Sequence, residues 1–422
     1  MIQNIRGTQD FIDLGMYNFI VRTAQQYLGR YGYEEISLPI LESTDLFRRS
    51  LGLATDVVNK EMFVVQSASA SEKAEREQIC LRPEMTASVM RAYFTNGIQQ
   101  LPWRVFSHGP VFRYERPQKG RYREFHQLTV ELLGAQSLAF DAEFIAMVDN
   151  FLRQGLQINS YVIALNFLGT LEDRTNYKRA LLAFLEKQDN LPRAIAERKE
   201  TNLLRIFDLK DEESKQALKG APTLIEYLSP ESAAAWRQLT SMLDQLSVNY
   251  VHDPYLVRGL DYYSNTVFEF VSSGLGAQNA ICGGGRYDGL SLALGEKNLL
   301  PAIGVGFGIE RLMLLLAEQR PDFKPEQKPA LVAILPLSGA QEMLALLCAQ
   351  NLREWGICTE VLLDGTSVKS MMRRANRLGA RYAILIGENE QKDGTLTVKE
   401  MMSGEERIVK QDELVGALPG LV

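Results

Sequence analysis

Between Arg113 and Gln127 the chain reads RYERPQKGRYREFHQ. Five cations, Arg113, Arg116, Lys119, Arg121 and Arg123, meet only two anions, Glu115 and Glu124. The chain as a whole, 422 residues long, carries a net charge of −6. A basic cluster on an acidic protein is a local feature, and at physiological salt a charge is felt over only about 8 Å. Guanidinium forks match phosphate oxygens, so the stretch suits an anionic ligand held in one place. Immediately after it, Phe125, Gln127, Thr129 and Glu131 share one face of a strand, while Leu128, Val130 and Leu132 share the other. An amide, a hydroxyl and a carboxylate in a row beside arginines make a polar floor. A solvent-exposed sheet face with a basic turn would give the same pattern.

Three more stretches carry chemistry-bearing residues. In LVRGLDYYSNTVFEF, Arg258 stands among apolar and aromatic residues, where a buried guanidinium must meet an anion or a carboxylate such as Asp261. Tyr262 and Tyr263 follow it, as core aromatics or as site residues. In GVGFGIER, Gly304, Gly306 and Gly308 alternate, which leaves one strand face bare for a flat group or for close packing. Arg311 falls in the first turn of the next helix, where the macrodipole disfavours a cation unless an anion or Glu310 offsets it. In LRPEMTASVMR, Glu84 and Thr86 precede a helical run, and helix capping by Thr86 is the simplest reading. Neither GxGxxG after a strand nor GxxxxGK[ST] occurs, which disfavours Rossmann and P-loop nucleotide sites.

The elements that must position these residues follow from periodicity. Ile20, Val21, Ala24, Tyr27, Leu28 and Tyr31 recur at helical spacing. YEEISLPILES reads as an extended segment holding Pro39, and Ser67–Gln78 as an exposed loop. Two strands between Trp103 and Leu133 flank the basic turn. Helical patterns from about Leu171 to Leu246 suggest an insertion, and a second β-rich block runs from Tyr255 to Val271. Three prolines in Arg320–Pro329 mark a linker. Beyond it strands alternate with helices, as in a small α/β domain. There, Val368, Met371, Met372, Ala375 and Leu378 form an inward stripe, with Arg373, Arg374 and Arg377 outward.

The four cysteines form no CxxC pair, and with three histidines no zinc site is expected. Free thiols point to a reducing, cytoplasmic setting. No run of eighteen apolar residues predicts a membrane span, and the opening MIQNIRGTQDFIDLG has no apolar secretory core.

Together these stretches resemble the class II aminoacyl-tRNA synthetases, and specifically the histidyl-tRNA synthetase family, over nearly the whole chain. SLPILES looks like the family's dimer-interface motif 1, FRYE through Gln127 like motif 2, and GVGFGIERLMLLL like motif 3. LVRGLDYYSNTVFEF and GGGRYDGL resemble the two stretches peculiar to the histidine enzymes. Met85 and Tyr114 depart from common family choices of Gly and His.

The resemblance implies an α/β chain. Residues 1–320 would form an α+β catalytic domain, an antiparallel sheet flanked by helices with a helical insertion at 171–250. A linker at 321–329 would lead to an α/β anticodon-binding domain at 330–422. It also implies ATP, with Mg²⁺, as substrate, histidine and tRNA(His) as partners, and a homodimer. Arg113 would hold the α-phosphate, with Arg258 beside it in place of a metal. Glu115 and Phe125 would place the adenine, and Arg121 and Arg311 would reach the outer phosphates. Glu84, Thr86 and Gln127 would hold the histidine amino group. Glu131 and Tyr263 would read its imidazole, with Tyr287 lining the pocket, while Arg116 and Gln118 would lie near the tRNA. No metal is expected from protein side chains alone. The nearest alternative is a non-catalytic paralogue, the regulatory subunit of ATP phosphoribosyltransferase. Those chains lack the terminal domain and lose substrate contacts.

Overall fold

A computed structural model of the chain describes residues 2–52, 55–66, 78–118, 120–188, 190–209, 211–258, 262–275, 279–325, 329–365 and 367–421. The expected 67–78 loop falls outside these, except for Gln78, as do Lys119 and Asp261. The chain divides into two compact units, Met1–Phe323 and Lys324–Val422.

The first unit is built on an eight-stranded sheet. Its centre is antiparallel. Strand Glu124–Leu133 pairs with Trp103–Phe112 on one side and with Ala302–Gly308 on the other. Ala280–Arg286, Ser264–Val271 and Val162–Phe167 follow in order. Two-residue strands, Glu34–Glu35 and Val251–His252, close the edges in parallel. The period-two pattern decides the faces. Leu128, Val130, Leu132, Phe268, Phe270 and Phe307 enter one core, shared with Ile20, Val21, Ala24 and Leu28 of helix Gly15–Gly29 and with helices Leu138–Asn150 and Ile309–Gln319. Each such side chain contributes about 1.5–3 kcal/mol by leaving water.

The opposite face is not a solvated one. Thr129 and Glu131 are fully buried there, so the polar floor lies under cover rather than in water. Helix Thr86–Thr95 sits over it, and its Thr86 hydroxyl reaches Glu131. The β-rich block also begins later than its composition suggests, because the strand is Ser264–Val271 and Tyr255–Arg258 lies outside any strand. The insertion is helical, with Leu171–Leu185, Arg193–Thr201, Glu212–Ala217 and Pro230–Gln245. Thr170 and Asp173 form a capping box that starts it.

The second unit has a five-stranded sheet. Thr359–Val361, Leu331–Pro336 and Ala380–Ile386 run parallel, and Thr395–Glu400 and Glu406–Lys410 continue it antiparallel. Helices Glu342–Glu354 and Val368–Arg377 supply the parallel crossovers. The inward stripe of the latter helix is narrower than its spacing suggests. Met371 and Ala375 are buried, whereas Val368 and Leu378 are exposed. Arg374 is tied to Asp364 and Glu360.

Candidate active site

A cavity of about 780 Å³ opens over the polar face of the first unit's sheet. Its floor is set by strand register. Gly304, Gly306 and Gly308 pair with Glu131, Thr129 and Gln127. The bare face of the glycine strand is therefore partly filled. A Cβ on Gly304 would strike the Glu131 carboxylate, and one on Gly306 the Gln127 amide. Gly306 and Gly308 still line the cavity beside Gln127. The buried Gln127 Oε1 has no hydrogen-bond partner among the described residues, and a buried acceptor left this way is costly unless a ligand donates to it.

One wall is cationic. Arg113 donates from Nε to the Pro83 carbonyl at 2.9 Å and lies 5.5 Å from the Phe125 ring centre. Arg121 forms an ion pair with Glu115. Arg311 donates to the carbonyls of Gly120 at 3.1 Å and Ala280 at 2.8 Å. Burial, and then repulsion from Arg121 and Arg113, lower the proton affinity of Arg311. Guanidinium groups stay charged regardless, so the cluster is an electrostatic cost that an anion offsets. Glu310 does not provide that offset. It accepts from the backbone N–H of His126 at 2.8 Å and bonds the His126 ring at 2.9 Å.

Acidic and aromatic groups line the rest of the cavity. Glu84 accepts from the backbone N–H groups of Thr86 at 2.7 Å and Ala87 at 2.9 Å. The helix is thus capped by Glu84, not by Thr86, which leaves the Thr86 hydroxyl for Glu131. Burial raises the pKa of Glu84, and these bonds partly counter it. Glu131 takes hydroxyl donors from Thr86 and Thr129, both at 2.6 Å, and from Tyr287. Burial still pushes its carboxyl up to about 8. Glu131 and Tyr287 are fully buried and are not among the residues that line the cavity; Glu131 bonds Thr86, and Tyr287 packs against Tyr262, both of which do line it. Arg286 anchors these buried groups. Next to Tyr287 in the chain, it pairs with Asp141 inside the protein and with Asp288 at 3.1 Å.

Arg258 enters the cavity from its loop and pairs with Glu269 on strand Ser264–Val271. The expected partner Asp261 lies outside the described residues. Arg116 and Gln118 are exposed on the basic loop and stand outside the cavity wall.

Of the residues singled out from sequence, Glu84, Thr86, Arg113, Glu115, Arg121, Phe125, Gln127, Arg258, Tyr263 and Arg311 line this one cavity. Glu269, Cys282 and Gly283 were missed, although the alternation in TVFEFV places Glu269 on the face opposite Phe268 and Phe270. The helical insertion was also missed as a wall. Arg205 pairs with Asp56 at 3.5 Å and Asp208 at 3.2 Å, and Phe207 stacks on Tyr255 with ring centres 4.7 Å apart. No local sequence signal marks those insertion residues.

Residues 15–312 match the family model described as histidyl-tRNA synthetase, and residues 331–421 match an anticodon binding domain. The histidine–tRNA ligases of a Synechococcus species and of Thermosynechococcus vestitus are each 42% identical over 420 residues. These alignments cover 98% of this chain and 98% and 95% of the relatives. The apo histidyl-tRNA synthetase of S. aureus superposes with a TM-score of 0.80 at 31% identity, covering 99% of both chains.

Proposed function

The chain belongs to the histidyl-tRNA synthetase family, and we propose that its cavity joins histidine to ATP and then passes the histidyl group to tRNA(His). The observation that carries this reading is the convergence of Arg113, Arg121, Arg258 and Arg311 on a cavity that Glu84, Thr86 and Gln127 also line. The arginines suit a polyphosphate, and the carboxylate, hydroxyl and amide oxygen suit an ammonium group. A non-catalytic regulatory paralogue fits less well, because this chain keeps both the cationic wall and the anticodon-binding domain.

In the proposed arrangement the adenine lies on Phe125 beside Glu115, whose carboxylate Arg121 steadies. Arg113 and Arg258 meet the α-phosphate, and Arg121 and Arg311 meet the outer phosphates. Glu84, the Thr86 hydroxyl and the free Gln127 oxygen receive the histidine ammonium. Tyr263 faces the imidazole. Glu131, held by three hydroxyls, reads the ring when one of them yields its place to a ring N–H, and Tyr287 keeps the carboxyl aimed.

The histidine carboxylate attacks the α-phosphorus, and pyrophosphate leaves with the bonding electron pair. The side chains contribute alignment and compensation of charge on the phosphate rather than proton transfer. A hydroxyl of the terminal adenosine of tRNA then attacks the acyl carbon and AMP leaves, its phosphate oxygen taking the hydroxyl proton. Magnesium bound with ATP would supply further positive charge at the phosphate oxygens. Among the described residues no three carboxylate, imidazole or thiol groups gather as a metal cage. Glu115, Glu269 and Glu310 already face Arg121, Arg258 and His126, so charge compensation by this chain falls to its arginines.

Selectivity follows from the same groups. An apolar amino acid offers no ring N–H to Glu131 and no ring nitrogen to the Tyr263 hydroxyl, so it forfeits bonds that histidine would make there, and sites of this kind can reject such a competitor by about 10⁴-fold. Arg116 and Gln118, on the exposed loop, are proposed to meet the tRNA acceptor end. Ile40, Leu41, Val64 and Val65 stand exposed around a small three-stranded sheet and support a homodimer assembled at that sheet. Among the described residues no helix is long and apolar enough to cross a membrane, and the free thiols favour a cytoplasmic setting.

ATP–pyrophosphate exchange with each of the twenty amino acids tests the reading. Exchange should appear with histidine alone. Exchange with another amino acid, or with none, would overturn it.

A further inference from the structure

We infer that Glu269 is a positioning residue for adenylate formation, holding one side of the Arg258 guanidinium so that its other side faces the reacting phosphate. The inference rests on the assignment of Arg258 to the α-phosphate. Arg258 lies outside any helix or strand, so hydrogen-bonded backbone does not fix its long side chain. Glu269, by contrast, is rigidly placed. Its neighbours Phe268 and Phe270 are fully buried in the core on the far face of the sheet.

The register completes the device. Glu269 is directly opposite Gly283 on the adjoining strand. A Cβ on Gly283 would occupy the space of the Arg258 guanidinium, and no other group lies among its three nearest neighbours. The missing side chain is therefore the gap through which Arg258 reaches Glu269. Arg258 spends one terminal nitrogen on that carboxylate, while its buried Nε finds no partner among the described residues. Burial disfavours a lone guanidinium, and Glu269 together with Tyr263 and Tyr262 more than offsets this, so Arg258 stays charged. Holding a long side chain in place before reaction removes a reorganisation step from the barrier. The carboxylate also weakens the pull of Arg258 on ground-state ATP, so its loss should lower kcat without raising KM for ATP.

A double-mutant cycle tests this by pyrophosphate exchange on the full-length protein, with folding checked by circular dichroism and histidine affinity by calorimetry. Glu269→Gln should lower kcat by roughly 10- to 10²-fold while KM for ATP stays level or falls. Glu269→Asp should recover part of the loss. In an Arg258→Ala background Glu269→Gln should cost almost nothing further, since there is no guanidinium left to position. An active Glu269→Gln beside an inactive Arg258→Ala would overturn the inference and leave the Arg258 assignment standing. So would losses that multiply independently. Full activity of Arg258→Ala would overturn both.

Discussion

Glu131 is a carboxyl that burial holds in its neutral form, with three hydroxyls around it. Its pKa in the folded protein, about 8, is above that of an unfolded glutamate. A raised folded value means that the native state binds the proton more tightly. The stabilisation is complete below about pH 4 and is lost as pH rises towards about 8. Glu131→Gln removes this titration. The Tm of the wild type should therefore fall relative to the variant between about pH 5 and 8, and a constant difference in thermal unfolding across that range would contradict the assignment. The same variant should weaken histidine more than ATP in steady-state kinetics. Arg258 gives a second residue-scale expectation. Arg258→Ala should fold normally and lose at least about 10²-fold in pyrophosphate exchange, because a preorganised charge is removed; an undiminished rate would exclude the role. The alternation of residues 125–131 was enough to show that Gln127 and Glu131 share a face. It could not show that Thr86 and Tyr287 enclose Glu131, because those contacts join residues 45 and 156 positions away.

Strand register explains what the glycines do, and two neighbours make opposite predictions. The three atoms nearest a Cβ at Gly283 all belong to the Arg258 guanidinium, a movable side-chain end. At Gly284 it meets the Gly304 carbonyl and the Val305 backbone, which cannot move without unpairing the sheet. Gly283→Ala should thus keep its Tm within a few degrees and lose kcat by displacing Arg258. Gly284→Ala should lose about 1–3 kcal/mol or more of stability in denaturant unfolding. Equal effects of both variants on stability would contradict this reading of the register. The alternating glycines at 304–308 were legible as a bare strand face, but what fills that face was not. The fillers, Gln127 and Glu131, come from a strand almost 180 residues earlier in the chain. Helices and strands with strong periodicity, such as Gly15–Gly29 and Glu124–Leu133, could be read directly. The wall made by Arg205 and Phe207 could not, since nothing local says which way an insertion folds back.

At the scale of the molecule, every residue proposed to touch ATP or histidine lies before Phe323, within the first unit. The proline-rich stretch and the restart of strand–helix alternation made that division legible from sequence. A chain ending at Phe323 should keep histidine-dependent pyrophosphate exchange and lose most aminoacylation, provided circular dichroism shows it folded. Full aminoacylation by the shortened protein would remove the second unit from tRNA recognition. Light scattering of the full chain at micromolar concentration should give the mass of a dimer, and a monomer would contradict the interface proposed at Ile40, Leu41, Val64 and Val65. The central claim is the transfer of histidine to one tRNA, and it is tested most directly by charging unfractionated tRNA with histidine and ATP and identifying the acylated species. The account predicts histidine esterified to tRNA(His) and to no other. Pyrophosphate exchange with no charged tRNA, or histidine spread over several tRNAs, would contradict it.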